Sequence, residues 1–169
     1  AGRDPSLLPD GEVWPDHIVE VDPTTDQIVW EWHMWDHLIQ DVDPTKDNYG
    51  VVGDHPELID INFVLKPTGQ TSPGKADWAH INAVAYNEAL DQIVLSSHNL
   101  SEIYIIDHST TTDEAAGHEG GKYGRGGDLL YRWGNPLAYR AGTEADQKLF
   151  LQHDAHFIPE GLNGAGNIL

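Results

Sequence analysis

The sequence predicts an all-β fold, a partial β-propeller of about two blades with long loop insertions. Two observations carry that expectation. Strand-forming runs come in pairs joined by short segments rich in Pro, Gly, Asn and Asp. The pairs are also of two recurring kinds, the mark of a repeat architecture. One kind opens on a histidine, at Asp77-Trp78-Ala79-His80-Ile81-Asn82-Ala83-Val84 and again at Gln152-His153-Asp154-Ala155-His156-Phe157. The other kind has Asp-x-Ser/Thr-Thr in its turn and a tryptophan in its second arm, at Asp22 to Trp32 and at Asp107 to Trp133.

The elements follow in order. Residues 1–12 are loop-like, punctuated by Pro5, Pro9, Asp10 and Gly11. Both arms alternate in Ile18–Asp22 and Ile28–Trp32, around a turn of Pro, Thr and Asp. Residues 36–76 are polar and turn-rich and read as an insertion across one face, with a helical turn at 56–60 and a short strand at 61–65. The run from His80 to Tyr86 turns at 87–91 and returns at Ile93–Leu95. Residues 102–110 and 128–133 form the next pair, separated by a surface loop insertion at 111–127 rich in Gly, Thr and His. A short helix is expected near 144–149, and a last hairpin at 153–158 and 168–169. Joined in order, His80 to Trp133 makes four consecutive antiparallel strands, one blade. Residues 14–35 then belong to the blade before it and 153–169 to the blade after. All of 1–169 is part of one domain. Trp14, Trp30, Trp32 and Trp133 are expected between blades.

Net charge is −19, from 28 acidic residues against 9 Lys and Arg. That excludes nucleic acid and anionic membrane surfaces as partners, since both need a basic face. No apolar run approaches the roughly 20 residues that cross a bilayer. The absence of cysteine removes disulfides, thiolate ligands and cysteine nucleophiles. Ala1-Gly2-Arg3-Asp4-Pro5 lacks an initiator Met and an apolar leader. Propellers close with roughly four to eight blades. The expectation is therefore a fragment, with the remaining blades supplied by the rest of a longer chain or by a partner chain.

The motifs Asp-Trp-x-His-x-Asn-x-Val at 77–84, Asp-x-Ile-x-x-Ser at 91–96, Ser101 to Asp107, Arg132-Trp133-Gly134 and Gln-His-Asp-Ala at 152–155 resemble the arylsulfate sulfotransferase family. Trp30-Glu31-Trp32 and Trp35-Asp36-His37 are similar to its members too, so the resemblance spans about 13–169. It implies a six-bladed propeller with its site at the central channel, in a periplasmic or secreted protein. It also implies transfer of a sulfuryl group from a phenolic sulfate ester to a phenol through a sulfohistidine. Small aryl sulfates and phenols are the implied partners, and no cofactor is implied. His80 and His153 match the two motif histidines that bind or protonate around the sulfuryl group. The nucleophilic histidine and a sulfate-steadying arginine are expected further along, outside this chain.

Sulfuryl transfer needs donors for the sulfate oxygens, an acid for the leaving phenolate, a base for the phenol and a nucleophile. Imidazole serves each role near neutral pH. His80 and His153, at equivalent strand starts, are the catalytic candidates. Asn82, Asp77, Gln152 and His37 are the substrate-binding candidates, Asn82 because it shares a strand face with His80. The i, i+4 pair His33 and His37 suggests a metal pair if helical, but the residues before it read as strand, and no metal ligand is assigned. Two other readings stand beside this one: a non-catalytic propeller that binds or scaffolds, and a metal-dependent hydrolase using His37, His80 and His153. His98, His108 and His118 receive no role.

Overall fold

Three turns share one device. A residue in the left-handed region stands immediately before the strand that follows: Asp26 (φ 56°), Asp91 (φ 54°) and Ser101 (φ 57°). Short polar side chains tolerate that conformation, so the chain reverses there without glycine. The strands so joined were determined in a computed structural model that describes residues 1–8, 11–64 and 76–169. Pro9, Asp10 and the 65–75 part of the expected insertion lie outside the described residues.

Strands β1 (His17–Asp22) and β2 (Gln27–His33) pair antiparallel. Strands β3 (Leu38–Ile39) and β4 (Ile59–Asp60) make a short parallel pair. Strands β5 (Ile81–Asn87), β6 (Gln92–Ser97), β7 (Glu102–Asp107) and β8 (Tyr131–Trp133) form one antiparallel sheet in the order 5-6-7-8. Helix α1 (Thr112–Ala115) lies between β7 and β8. The chain is thus mostly strand, and the four-stranded meander runs between the expected bounds. Among the described residues no sheet closes on itself.

Alternation divides that sheet into two apolar faces. Ile93, Leu95, Tyr104 and Ile106 pack with Trp30, Trp32, Met34, Leu38 and Ile59, which brings β2 over one face. Val94 and Ile103 pack with Ala155, and with Ala85, Leu149, Phe157 and Ile168, on the other. Central strand β6 is covered on both sides and reads as a nearly continuous apolar run for that reason. Asp22 and Asp107 cap equivalent turns. Asp22 Oδ1 accepts from the Thr24 amide and hydroxyl, and Asp107 Oδ1 from those of Ser109.

Several expectations are corrected. The helical turn falls at Val52–Asp54 rather than 56–60, and a strand occupies 59–60 where a turn was expected. Pro56 and Leu58 there offer carbonyls to the buried Arg132 guanidinium instead of closing a turn. The 144–149 helix is a single 3₁₀ turn, Glu144–Asp146, because the Lys148 and Leu149 amides go to the Gly134 carbonyl. The 111–127 stretch carries α1, opened by a Thr111/Glu114 capping box, with Ala115 buried. Residues 153–169 make one antiparallel bridge, Phe157 to Ile168, in place of a full hairpin. Trp30 and Trp32 are buried as expected, whereas Trp14 and Trp133 are exposed.

Candidate functional site

A β-bulge sets the site. From the turn back to Ala83 the β5–β6 register is regular, and extended further it would place Asn99 across from His80. A bulge between Ile81 and Ala83 slips the pairing by one residue. His98 therefore stands opposite His80, its amide donating to the His80 carbonyl at 3.0 Å, and Asn99 bonds Ala79 instead. The two rings meet edge to face with centroids 5.3 Å apart. His153 then packs on His98 the same way, at 5.0 Å. The two histidines singled out in the sequence are thus joined through a third, His98, that no sequence motif marks.

Each ring is held from one side. His80 Nδ1 donates to Asp77 Oδ2 at 2.5 Å, and His98 Nδ1 to Asn99 Oδ1 at 2.7 Å. Asn99 Nδ2 in turn donates to the Asp77 carbonyl at 2.8 Å. Among the described residues, neither Nε2 has a protein partner. The ring nitrogens of the trio do not all come within 4.8 Å of one another, so they offer a metal ion no common point. Backbone strain gathers here as well. His80 (φ 51°), Leu151 (φ 53°) and Asp154 (φ 62°) all occupy the left-handed region around the cluster.

Asn82 and Gln152 sit behind the rings. Asn82 Nδ2 donates to the Gln152 carbonyl at 2.9 Å. Gln152 Nε2 donates to Ser96 Oγ and to the Ser97 and Glu102 carbonyls at 3.1, 3.1 and 3.0 Å. Their side-chain oxygens, Asn82 Oδ1 and Gln152 Oε1, are buried without a partner among the described residues. Asp16, which sequence reasoning passed over, lies under the same corner. Burial pushes its carboxyl up, the Ile81 amide partly opposes this, and Asp77 adds to it.

His37 is elsewhere. Its ring is fully buried, stacked on Trp32 at 5.4 Å and 2° between planes. Nδ1 lies 2.8 Å from Asp128 Oδ1 and Nε2 2.9 Å from the Ala115 carbonyl. His33 does not join it: β2 runs through His33, whose ring bonds Glu31 and stacks on His17. Nor do His37, His80 and His153 form one ligand set: His37 is held by Asp128 and Ala115, whereas His80 and His153 pack on His98. The structure supplies His118 and Asp128 as His37's companions, both unmarked in the sequence because they are distant in the chain.

A cavity of about 380 Å³ lies beside His153, with Ile103, Tyr131, Trp133 and Leu149 in its walls. Among the described residues no helix is long and apolar enough to cross a membrane.

A family model described as Arylsulfotransferase (ASST) matches residues 10–116, well over half of the chain. The matched span contains Asp16, Asp77, His80, Asn82, His98 and Asn99, and ends before Gln152 and His153. No curated protein and no solved structure matches the chain.

Proposed function

The chain belongs to the arylsulfotransferase family, and from that premise we propose that it binds an aryl sulfate ester at His80, His98 and His153 and serves sulfuryl transfer to a phenol. The observation that supports this reading best is the contiguity of three imidazoles, His80 on His98 and His98 on His153, with Nε2 of His80 and of His98 unclaimed among the described residues. An aryl sulfate carries one negative charge spread over three oxygens, and several N–H donors around it match that distribution. His80, oriented through Nδ1 by Asp77, presents Nε2 to the phenolic oxygen, as the acid for the departing phenolate or the base for the incoming phenol. His98 and His153 grip the sulfuryl oxygens. Asn82 and Gln152 act behind them, fixing the 151–154 backbone against β5 and β6. In the two-step route the attacking imidazole forms an N–S bond as the S–O bond to the phenolate breaks, and the acceptor oxygen reverses this. That attacking histidine is a further group from outside these residues.

The same reading takes β5–β8 as one propeller blade, β1–β2 as the outer half of the blade before it and 153–169 as the inner half of the blade after. Packing on both faces of the sheet supports it. The exposed Tyr131 and Trp133 of edge strand β8 form the seam against which further strands pack.

The test is a titration of 4-nitrophenyl sulfate into protein with isotope-labelled histidine, followed by an assay for released 4-nitrophenolate with phenol as acceptor. Shifts at His80, His98 and His153 support binding of the ester, and turnover once the attacking histidine is supplied supports transfer. Shifts with no turnover even then favour a module that binds without transferring. Shifts at none of the three would end it.

A further inference from the structure

The second histidine cluster has the chemistry of a metal site. His37 Nδ1, His118 Nδ1 and Asp128 Oδ1 all lie within 4.8 Å of one another. Both nitrogens stand 2.8 Å from the same carboxylate oxygen. Among the described residues no other three histidine or acidic side chains converge so closely. We propose that His37, His118 and Asp128 bind a divalent transition metal of the zinc class, independently of the His80 cluster.

Three features argue for it. The first is the ring's orientation. His37 Nε2 donates to the Ala115 carbonyl, so Nδ1, 2.8 Å from Asp128 Oδ1, is the nitrogen a metal would claim in place of the proton shared there. Metal-ligating histidines are held in this way, their second nitrogen bonded to a carbonyl or carboxylate. The second is the rigidity of the supports. Trp32 stacks flat on the His37 ring and its Nε1 donates to the Gly127 carbonyl at 2.7 Å. A Cβ on Gly127 would collide with the Ala115 carbonyl and stand 2.6 Å from His37 Nε2, so only glycine lets this loop close on the ring. The third is the donor set. Two imidazoles and one carboxylate suit zinc and its neighbours, whereas magnesium and calcium prefer oxygen throughout.

The site is buried on one side and open on the other. His37 is fully buried, while the His118 side chain is 60% exposed. His118 lines a cavity of about 580 Å³ with Trp35, Asp36 and His55. Three protein ligands with the fourth position turned to a cavity is the arrangement of a metal that takes water or a small ligand.

The experiment uses the whole chain after treatment with a chelator. Zn²⁺ is titrated by calorimetry, and Co²⁺ by its visible absorption. The expected result is one equivalent of metal with the intense bands of tetrahedral Co²⁺. His118→Ala, chosen because His118 is largely exposed, should fold normally by circular dichroism. It should weaken binding by more than about 100-fold, the upper end for loss of a mere outer-shell partner. His153→Ala should bind as tightly as the parent. Absence of stoichiometric binding, survival of binding in folded His118→Ala, or its loss in His153→Ala overturns the proposal. None of these outcomes depends on sulfate-ester binding, so this site and the His80 site stand or fall separately.

Discussion

The Asn82 side-chain amide donates to the Gln152 main-chain carbonyl at 2.9 Å, across 70 residues of sequence. That bond ties the start of β5 to the segment bearing His153, and so fixes the distance between the two halves of the site. Asn82→Leu leaves a carbonyl at the site without its donor, which costs about 1–3 kcal/mol. Urea unfolding of the variant should show that loss, and His153 should lose its ring contact with His98 by NMR. Unchanged stability together with an unchanged contact means the bond positions nothing.

Asp77 orients His80 by a bond at 2.5 Å. Asp77→Asn keeps the shape and reverses the polarity available to Nδ1. Misplacing a reacting group by about 1 Å costs roughly 100-fold in rate. With the attacking histidine supplied, turnover of 4-nitrophenyl sulfate should fall by about that factor while its binding changes much less. Equal losses in both would make Asp77 a binding group rather than a positioning one.

Arg132 and Glu102 form a buried pair linking β8 to β7, with Tyr104 donating to Glu102 and the Pro56 and Leu58 carbonyls accepting from Arg132. Burial alone lowers the Arg132 pKa, and the Glu102 carboxylate beside it more than offsets this, so the net direction is up. Arg132→Leu strands the Glu102 charge and should cost about 3–5 kcal/mol by urea unfolding. The double change Glu102→Gln, Arg132→Met should recover most of that loss. A single variant as stable as the parent rules out a paired buried charge.

Asp22, Asp43, Glu114 and Asp146 are among the carboxylates held below their ordinary range. Asp22 is lowered mainly by the Thr24 hydroxyl and Asp43 by that of Thr45. The Thr143 amide lowers Asp146, and the Thr111 amide lowers Glu114. A folded pKa below the unfolded one means stability present in full above about pH 4 and lost as the pH falls through the folded values. Asp16 works in the opposite sense: its raised value makes its contribution fall as the pH rises through it. Carboxyl carbon NMR should show the four titrating early and Asp16 late. An Asp16 midpoint in the ordinary range is incompatible with its burial beside Asp77.

Gly127 is confined by the Ala115 carbonyl and the His37 ring. Gly127→Ala should cost about 1–3 kcal/mol, the usual penalty for overpacking, and thermal unfolding reads it directly. A neutral effect means the loop yields and the His37 cluster is not rigid.

The sequence by itself determined the antiparallel strand pairs and their order, though not the short parallel pair β3–β4. Alternation and turn residues are local signals, and local signals sufficed for β1–β2 and for the β5–β8 meander from His80 to Trp133. They also sufficed for the Asp22 and Asp107 turns, where the capping partner is two residues away. The family was legible too, because its motifs are short and contiguous. Tertiary structure alone decided the sites. His98 reaches His80 only because a bulge slips the register by one, and counting from the turn places Asn99 there. His37 meets Asp128 across 91 residues, brought there by packing of Trp32 and the loop after α1. Trp133 and Trp14 share their sequence character with Trp30 and Trp32, yet only the latter pair is covered by another element. Secondary structure follows from neighbours in the chain, whereas a site is a meeting of residues whose distances depend on every turn and bulge between them.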